Sequence, residues 1–467
     1  MSSGPVTKAV AEFIASATFE TLPAEVAERI RLLVFDAVGT LAASTHPLVT
    51  SSAGIGAFAA AHGGAGPATL IGQSMKTDVV TAALANGTRG YAIDMEPHHP
   101  EAILHPIAVM LPTALALGEA RACSGRQVLA AVAVGCEVAY RVSIALDPKQ
   151  LYALGFHPSA VCGTFGAAAT AAVLLELDAG QVVRALGLAG LQASGLMAWE
   201  DDPREDARPF QMGMAARNGM TAALLAEGGF GAPDRIFDAG HTVLRAFGRD
   251  AGAGPLASGP DGKGWLGVTE LAIKPYPCVA FLHPALDALD ALAGEHGLVG
   301  RDVEAIRLRF AASGCHCIDA NPLRSHCAQY VLPVRLARGG LVFTDLFRDL
   351  RDENPEVARL AARTEVVHDH GEFEDLFPDF YAGEVTLVLA DGRTVSGRCD
   401  IARGYPEAPL ARHELDDKFT DLVRSVATRR RCEALREAAA GLDDAGTVTT
   451  LAGLLGEPAV TAPDSMD

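Results

Sequence analysis

Apolar residues recur at helical spacing from early in the chain. Between Pro23 and Leu41 the positions Val26, Ile30, Leu33, Ala37 and Leu41 fall on one helical face, with Pro23 suited to the first turn. The same spacing predicts helices over residues 79–91, 107–120, 125–146, 160–177, 179–197 and 214–228, punctuated by Gly, Pro and Asp. The stretch Ala253 to Gly264 reads as a flexible connector, and beyond it the period changes. Residues 303–311, VEAIRLRFA, alternate as a strand does, and Asp391-Gly392 between 385–390 and 394–399 predicts a hairpin with a tight primed turn. Helical spacing returns over 414–442, in a segment expected to pack back on the first domain.

These patterns predict a mainly α protein. A large all-helical domain is expected from both chain ends, residues 1–267 and 405–455, with a smaller α/β domain inserted at 268–404 and a flexible tail at 456–467. Composition supports the helical reading, since hydrophobic residues reach 49% while aromatics are only 6% of 467 residues. The most apolar region, Gly163 to Trp199, is broken by Glu176, Asp178 and Arg184, which predicts two buried helices and no bilayer segment. A formal net charge of -19 argues against nucleic-acid partners, because phosphate binding needs clustered Lys and Arg. An anionic small molecule would need a local concentration of cations or helix N-termini. Nine cysteines without paired spacing fit reduced thiols, and the opening residues carry no leader pattern, so a cytoplasmic protein is expected.

Three His-Pro steps precede apolar helical runs, at His105-Pro106, His157-Pro158 and His283-Pro284. Proline favours the first helical position, so each His falls at or next to an N-cap, where a nearby helix end biases it toward the neutral, proton-accepting form. Taken singly, each is more simply a capping or buried structural histidine; three together weaken that reading. Lys274 in AIKPYPC and Arg208 in ARPFQMG sit on proline-bearing turns, where a cation can hold a carboxylate. Asp94 precedes His98, His99 and His105 closely enough to orient an imidazole or help bind a metal, though the spacing matches no zinc motif. The cluster Cys315, His316, Cys317, His326 and Cys327 reads as buried thiols and strand residues, and His368-Asp369-His370 as a solvated loop. Walker, dinucleotide and nucleophile-elbow signatures are missing, which leaves acid-base chemistry on the substrate itself.

Across nearly its whole length the chain resembles the MmgE/PrpD family. The resemblance is carried by VFDAVGTLAAS, NGTRGYAIDMEPHHPEAILHP, GFHPSAVCGTFGAAATAA, GLAGLQASGL, MAARNGMTAALLA, LAIKPYPC with His283, and GYPEAPL with Lys418-Phe419. It implies a homodimer, an active site between a helical domain and an α/β lid, and no metal or organic cofactor. By position it implies catalytic roles for Asp94, His105, His157 and Lys274, and substrate contacts from His98, Arg208, Lys274, Tyr276 and His283. Two departures bear on specificity: Asp94-Met95-Glu96-Pro97-His98 stands where the family has D-F-D-D-T, and Arg208 stands where it has Lys.

The expected function is a lyase acting on a small di- or tricarboxylate by His-mediated proton transfer. Dehydration of a 2-methylcitrate-like acid ranks first, although the W-G-H-P-S-D-N stretch of methylcitrate dehydratases is missing. Decarboxylation of a cis-aconitate-like acid or epimerisation of a dicarboxylate follows, and a non-catalytic carboxylate-binding relative and a metalloenzyme remain as rivals.

Overall fold

The computed structural model describes residues 5–238, 240–248, 254–257, 264–378 and 380–460. The protein is mainly α with a smaller α/β part, and it divides into two compact units. One joins Met1–Leu271 to Arg412–Asp467, so both chain ends build it, and the other is Ala272–Ala411.

The helical unit is organised around Pro158–Leu174, in which every residue except Val173 is buried. Its sequence is mostly Ala, Gly, Thr and Ser, and these small side chains let the helices Gly125–Leu146 and Ala207–Glu227 come close on either side. At Gly166 the approach is so tight that a Cβ would lie 2.6 Å from the Gly135 carbonyl oxygen. Helix Val79–Arg89 meets Ala207–Glu227 in the same manner, where a Cβ on Gly213 would collide with the carbonyl oxygen of Leu84. Gly125–Leu146 is long and apolar enough to cross a membrane, but 94% of its most apolar window is buried within the protein, as in a core helix.

The C-terminal segment returns through Arg412–Arg424 and Arg429–Ala440. Phe419 stacks on Phe35 of helix Ala24–Ala43 with ring centroids 4.5 Å apart, and next to it Lys418 Nζ lies 2.6 Å from the buried Asp36.

In the α/β unit, β3 (Val303–Ala311) and β5 (Gly383–Leu389) are central to a four-stranded sheet with β4 (Thr364–Asp369) and β6 (Thr394–Cys399) at its edges, in the order β4-β3-β5-β6. The β3-β4 pair is parallel and the others antiparallel. Strict alternation of burial along β5 shows that one face of the sheet supplies the core, covered by helices that include His283–His296 and Ala328–Arg338. A separate two-stranded ribbon in the helical unit pairs β1 (Ala68–Leu70) with β2 (Met75–Thr77).

Several local expectations are corrected. Helix 24–43 starts after Pro23, which is its N-cap residue and not part of its first turn. The helix expected over 179–197 ends at Gly190, and a 3-10 turn, Met197–Asp201, follows. The helix expected from residue 214 begins at Ala207, so Arg208 and Pro209 lie in its first turn, where proline is tolerated because that N–H has no helical partner. At the β5-β6 hairpin only Gly392 has positive φ, and Asp391 does not, so the connection is a wider loop than a primed two-residue turn. His368 and Asp369 end a strand that pairs with β3, where a loop was expected. Of the connector at 253–264 only the short helix Gly254–Ala257 and Gly264 lie within the described residues, and most of the tail beyond 456 lies outside them.

Candidate active site

Helix Val79–Arg89 delivers the chain to Tyr91 and then to Asp94, whose φ of +56° is a left-handed conformation that Asp tolerates better than most residues. This turn starts a buried loop that runs to His105 and is closed by a backbone bridge between His99 and Leu104, with N···O distances of 2.7 and 3.2 Å. His99 serves that loop. Its Nδ1 accepts from the Ala102 N–H, so Nε2 is the donor to the Leu266 carbonyl at 3.1 Å, and burial pushes its pKa down to about 4.

His105, next in line before the helix Ile107–Ala120, has its backbone N–H on Ser159 Oγ at 3.0 Å. Its Nδ1 lies 2.7 Å from Oε1 of Glu96, a carboxylate whose side chain is only 1% exposed. An imidazole held in this way carries its proton on Nδ1, and the carboxylate stabilises a second proton on the ring. The ring of His98 stacks at 5.9 Å on that of His105.

His157 is the N-cap residue of Pro158–Leu174. The segment before it is bridged to Gly195–Met197, through His157 N to Gly195 O at 3.0 Å and Met197 N to Gly155 O at 2.8 Å. Burial lowers its pKa to about 3, assisted by the nearby positive charge of Arg208 and by His105, so His157 is neutral at physiological pH.

Arg208, only 4% exposed, lies between the faces of Tyr91 and Trp199, at 4.7 and 5.6 Å from the ring centroids. Asp94 approaches it at 3.4 Å and Glu205 at 3.3 Å. Burial opposes the charge, but the carboxylates of Asp94 and Glu205 outweigh it and the guanidinium is held charged. Tyr91 is the common neighbour. Its ring meets His105 edge-on at 4.6 Å, His157 at 6.1 Å and Arg208 through its face. Burial lifts its phenol well above the usual range, which keeps it neutral.

The structure thus gathers Asp94, His105, His157 and Arg208 around one aromatic ring, with His98 stacked on His105. Asp94 was expected to orient an imidazole; the carboxylate bonded to His105 is Glu96, while the left-handed turn at Asp94 directs it to Arg208. Tyr91, Glu96, Trp199 and Gln211 were not among the expected site residues, and nothing in their spacing marked them. The other three belong to the α/β unit. Lys274 is buried beside the Ile273 N to Gly404 O bond, Tyr276 Oη lies 2.8 and 2.9 Å from Asp287 and Asp290, and His283 Nε2 lies 3.1 Å from the Cys278 carbonyl. His283 is the first residue of its helix.

Two family models together match most of the chain: the MmgE/PrpD N-terminal domain over residues 8–255 and the MmgE/PrpD C-terminal domain over 276–444. The chain belongs to the MmgE/PrpD family. Among MmgE/PrpD relatives, the cis-aconitate decarboxylase of Aspergillus terreus is 27% identical over 97% of this chain and 96% of its own length. Those of Homo sapiens and Mus musculus are 27% and 28% identical, each over 81% of this chain and 79% of the relative.

Proposed function

We propose that this MmgE/PrpD protein is a carboxy-lyase that removes CO2 from a small unsaturated di- or tricarboxylate of the cis-aconitate type. The observation that carries the reading is a pair of imidazoles in different surroundings, His105 on a buried carboxylate and His157 neutral, next to one buried guanidinium. Two imidazoles so differently surrounded can serve as donor and acceptor in one reaction.

In the proposed step Arg208 holds a substrate carboxylate and balances the charge that develops. The C–C bond to a second carboxylate breaks, CO2 leaves, and the electron pair passes into the adjoining unsaturated acid. His105, protonated against Glu96, delivers one proton to the carbon that receives the pair, and solvent restores the imidazolium. His157 Nε2 accepts a hydrogen bond or a proton from the acid as it binds. Dehydration ranked first from the sequence, but the decarboxylase names of relatives aligned over 79% to 97% of their own length favour loss of CO2.

The test is turnover of cis-aconitate, 2-methylcitrate and tartrate-like acids in deuterated water, followed by NMR and by CO2 release. CO2 with one deuterium in the product supports this reading. Loss of water without CO2 makes the protein a dehydratase, exchange alone an epimerase, and binding without exchange a non-catalytic relative. We also propose a homodimer, following the family resemblance; a monomer by light scattering refutes it.

A further inference from the structure

The side chain of Gln211 stands between His157 and a backbone carbonyl. Its Nε2 donates to Leu196 O at 2.7 Å, and because a carbonyl only accepts, the amide oxygen is the atom turned to the imidazole. That oxygen lies 3.0 Å from His157 Nδ1 and, being an acceptor, requires a proton there. We infer that Gln211 is a positioning residue that fixes His157 as the Nδ1–H tautomer and makes Nε2 its proton-accepting atom. The inference deepens the proposed lyase reading, on which the catalytic meaning of the tautomer rests.

The geometry around the contact supports this role. Leu196 is bridged to Phe156, so the carbonyl that orients the amide belongs to the same local structure that sets the His157 backbone. Gln211 lies three residues beyond Arg208 on helix Ala207–Glu227, and residues so spaced share a helical face. One helix therefore supplies both the cation and the tautomer. The other groups facing His157 are Tyr91 and Trp199, with ring centroids at 6.1 and 5.8 Å, and His105 and Arg208, whose charges oppose its protonation.

The experiment is ¹⁵N NMR of the imidazole nitrogens in the full-length protein without substrate, alongside pH profiles of kcat/KM. The wild type should show Nδ1 protonated and Nε2 bare. Gln211→Glu, which brings a carboxylate to the same atom, should raise the titration of His157 by about 1 to 3 pH units, with the acid limb of the kcat/KM profile moving alongside. Gln211→Leu should mix the tautomers and lower kcat by about three- to tenfold. An Nε2–H tautomer in the wild type, or a titration unmoved in Gln211→Glu, overturns the inference. A wild type that turns over none of the acids removes the lyase reading, whereas the substrate-free tautomer measurement still decides the role of Gln211.

Discussion

Replacing Glu96 by Gln keeps the side chain's size and removes its charge. The carboxylate lies 2.7 Å from His105 Nδ1 and is almost completely shielded from water, so solvent screens the pair weakly. A hydrogen bond to a charged partner contributes about 1.5 to 3 kcal/mol, against about 0.5 to 1.5 for a neutral one. The difference, about 1 to 2 kcal/mol, corresponds to a fall in kcat of roughly 5- to 30-fold where the His105 imidazolium delivers the proton. Coulomb attraction sets a ceiling, since opposite charges about 4 Å apart at an effective dielectric constant of about 20 attract by about 4 kcal/mol, near a thousandfold. The expected signature is a loss in kcat with little change in KM, because Glu96 acts on the proton donor while Arg208 holds the substrate. The assay is steady-state CO2 release across acid and neutral pH, with melting temperature measured in parallel. A Glu96→Gln protein with wild-type kcat at every pH and an unchanged melting temperature refutes the assignment of His105 as donor.

Four further outcomes are expected. Arg208→Lys should raise KM about tenfold or more, because an ammonium replaces neither the planar stacking between Tyr91 and Trp199 nor the forked hydrogen bonding; an unchanged KM removes Arg208 from substrate binding. Lys418→Met leaves the buried Asp36 without its ion-pair partner and should cost about 3 to 5 kcal/mol in denaturant unfolding, much of it recovered in Lys418→Met with Asp36→Leu; equal stabilities of the single and double variants contradict this. Folded His99, with its pKa lowered to about 4 by burial, binds no proton where the unfolded chain does, so stability should fall as pH drops from about 6.5 toward 4. His99→Gln should flatten that slope by about 1.4 kcal/mol per pH unit, and parallel curves would discount it. Gly213→Ala should push helices 79–89 and 207–227 apart, lowering stability by about 1 to 3 kcal/mol together with kcat, since one helix leads to Asp94 and the other starts at Arg208; full activity would show that the spacing is not needed.

The parts of this fold that were legible in the sequence are those where local period and burial agree. Helices 107–120 and 125–146 and strand 303–311 occupy the residues their patterns predict, because apolar positions there face a core throughout. The start of the Arg208 helix was hidden by Pro209, which reads as a turn although a first helical turn accepts proline. The histidines stood out through their His-Pro steps, but the approach of Asp94 to Arg208 goes with a left-handed φ at Asp94 that no spacing reveals. Lys418 and Met95, joined at 2.9 Å, lie 323 residues apart in sequence, and Gln211 has no motif at all.

The long return of the chain has a consequence for biogenesis. The loop that carries Glu96 is tied through the Met95 carbonyl to Lys418, an ammonium synthesised after the whole α/β unit. Until that stretch leaves the ribosome, Asp36 is a carboxylate in a forming core with its counter-ion still to come, and the Glu96 loop lacks its anchor. The last step in building the helical unit therefore waits for the chain beyond Arg412, and a nascent chain stalled before Arg412 should stay inactive.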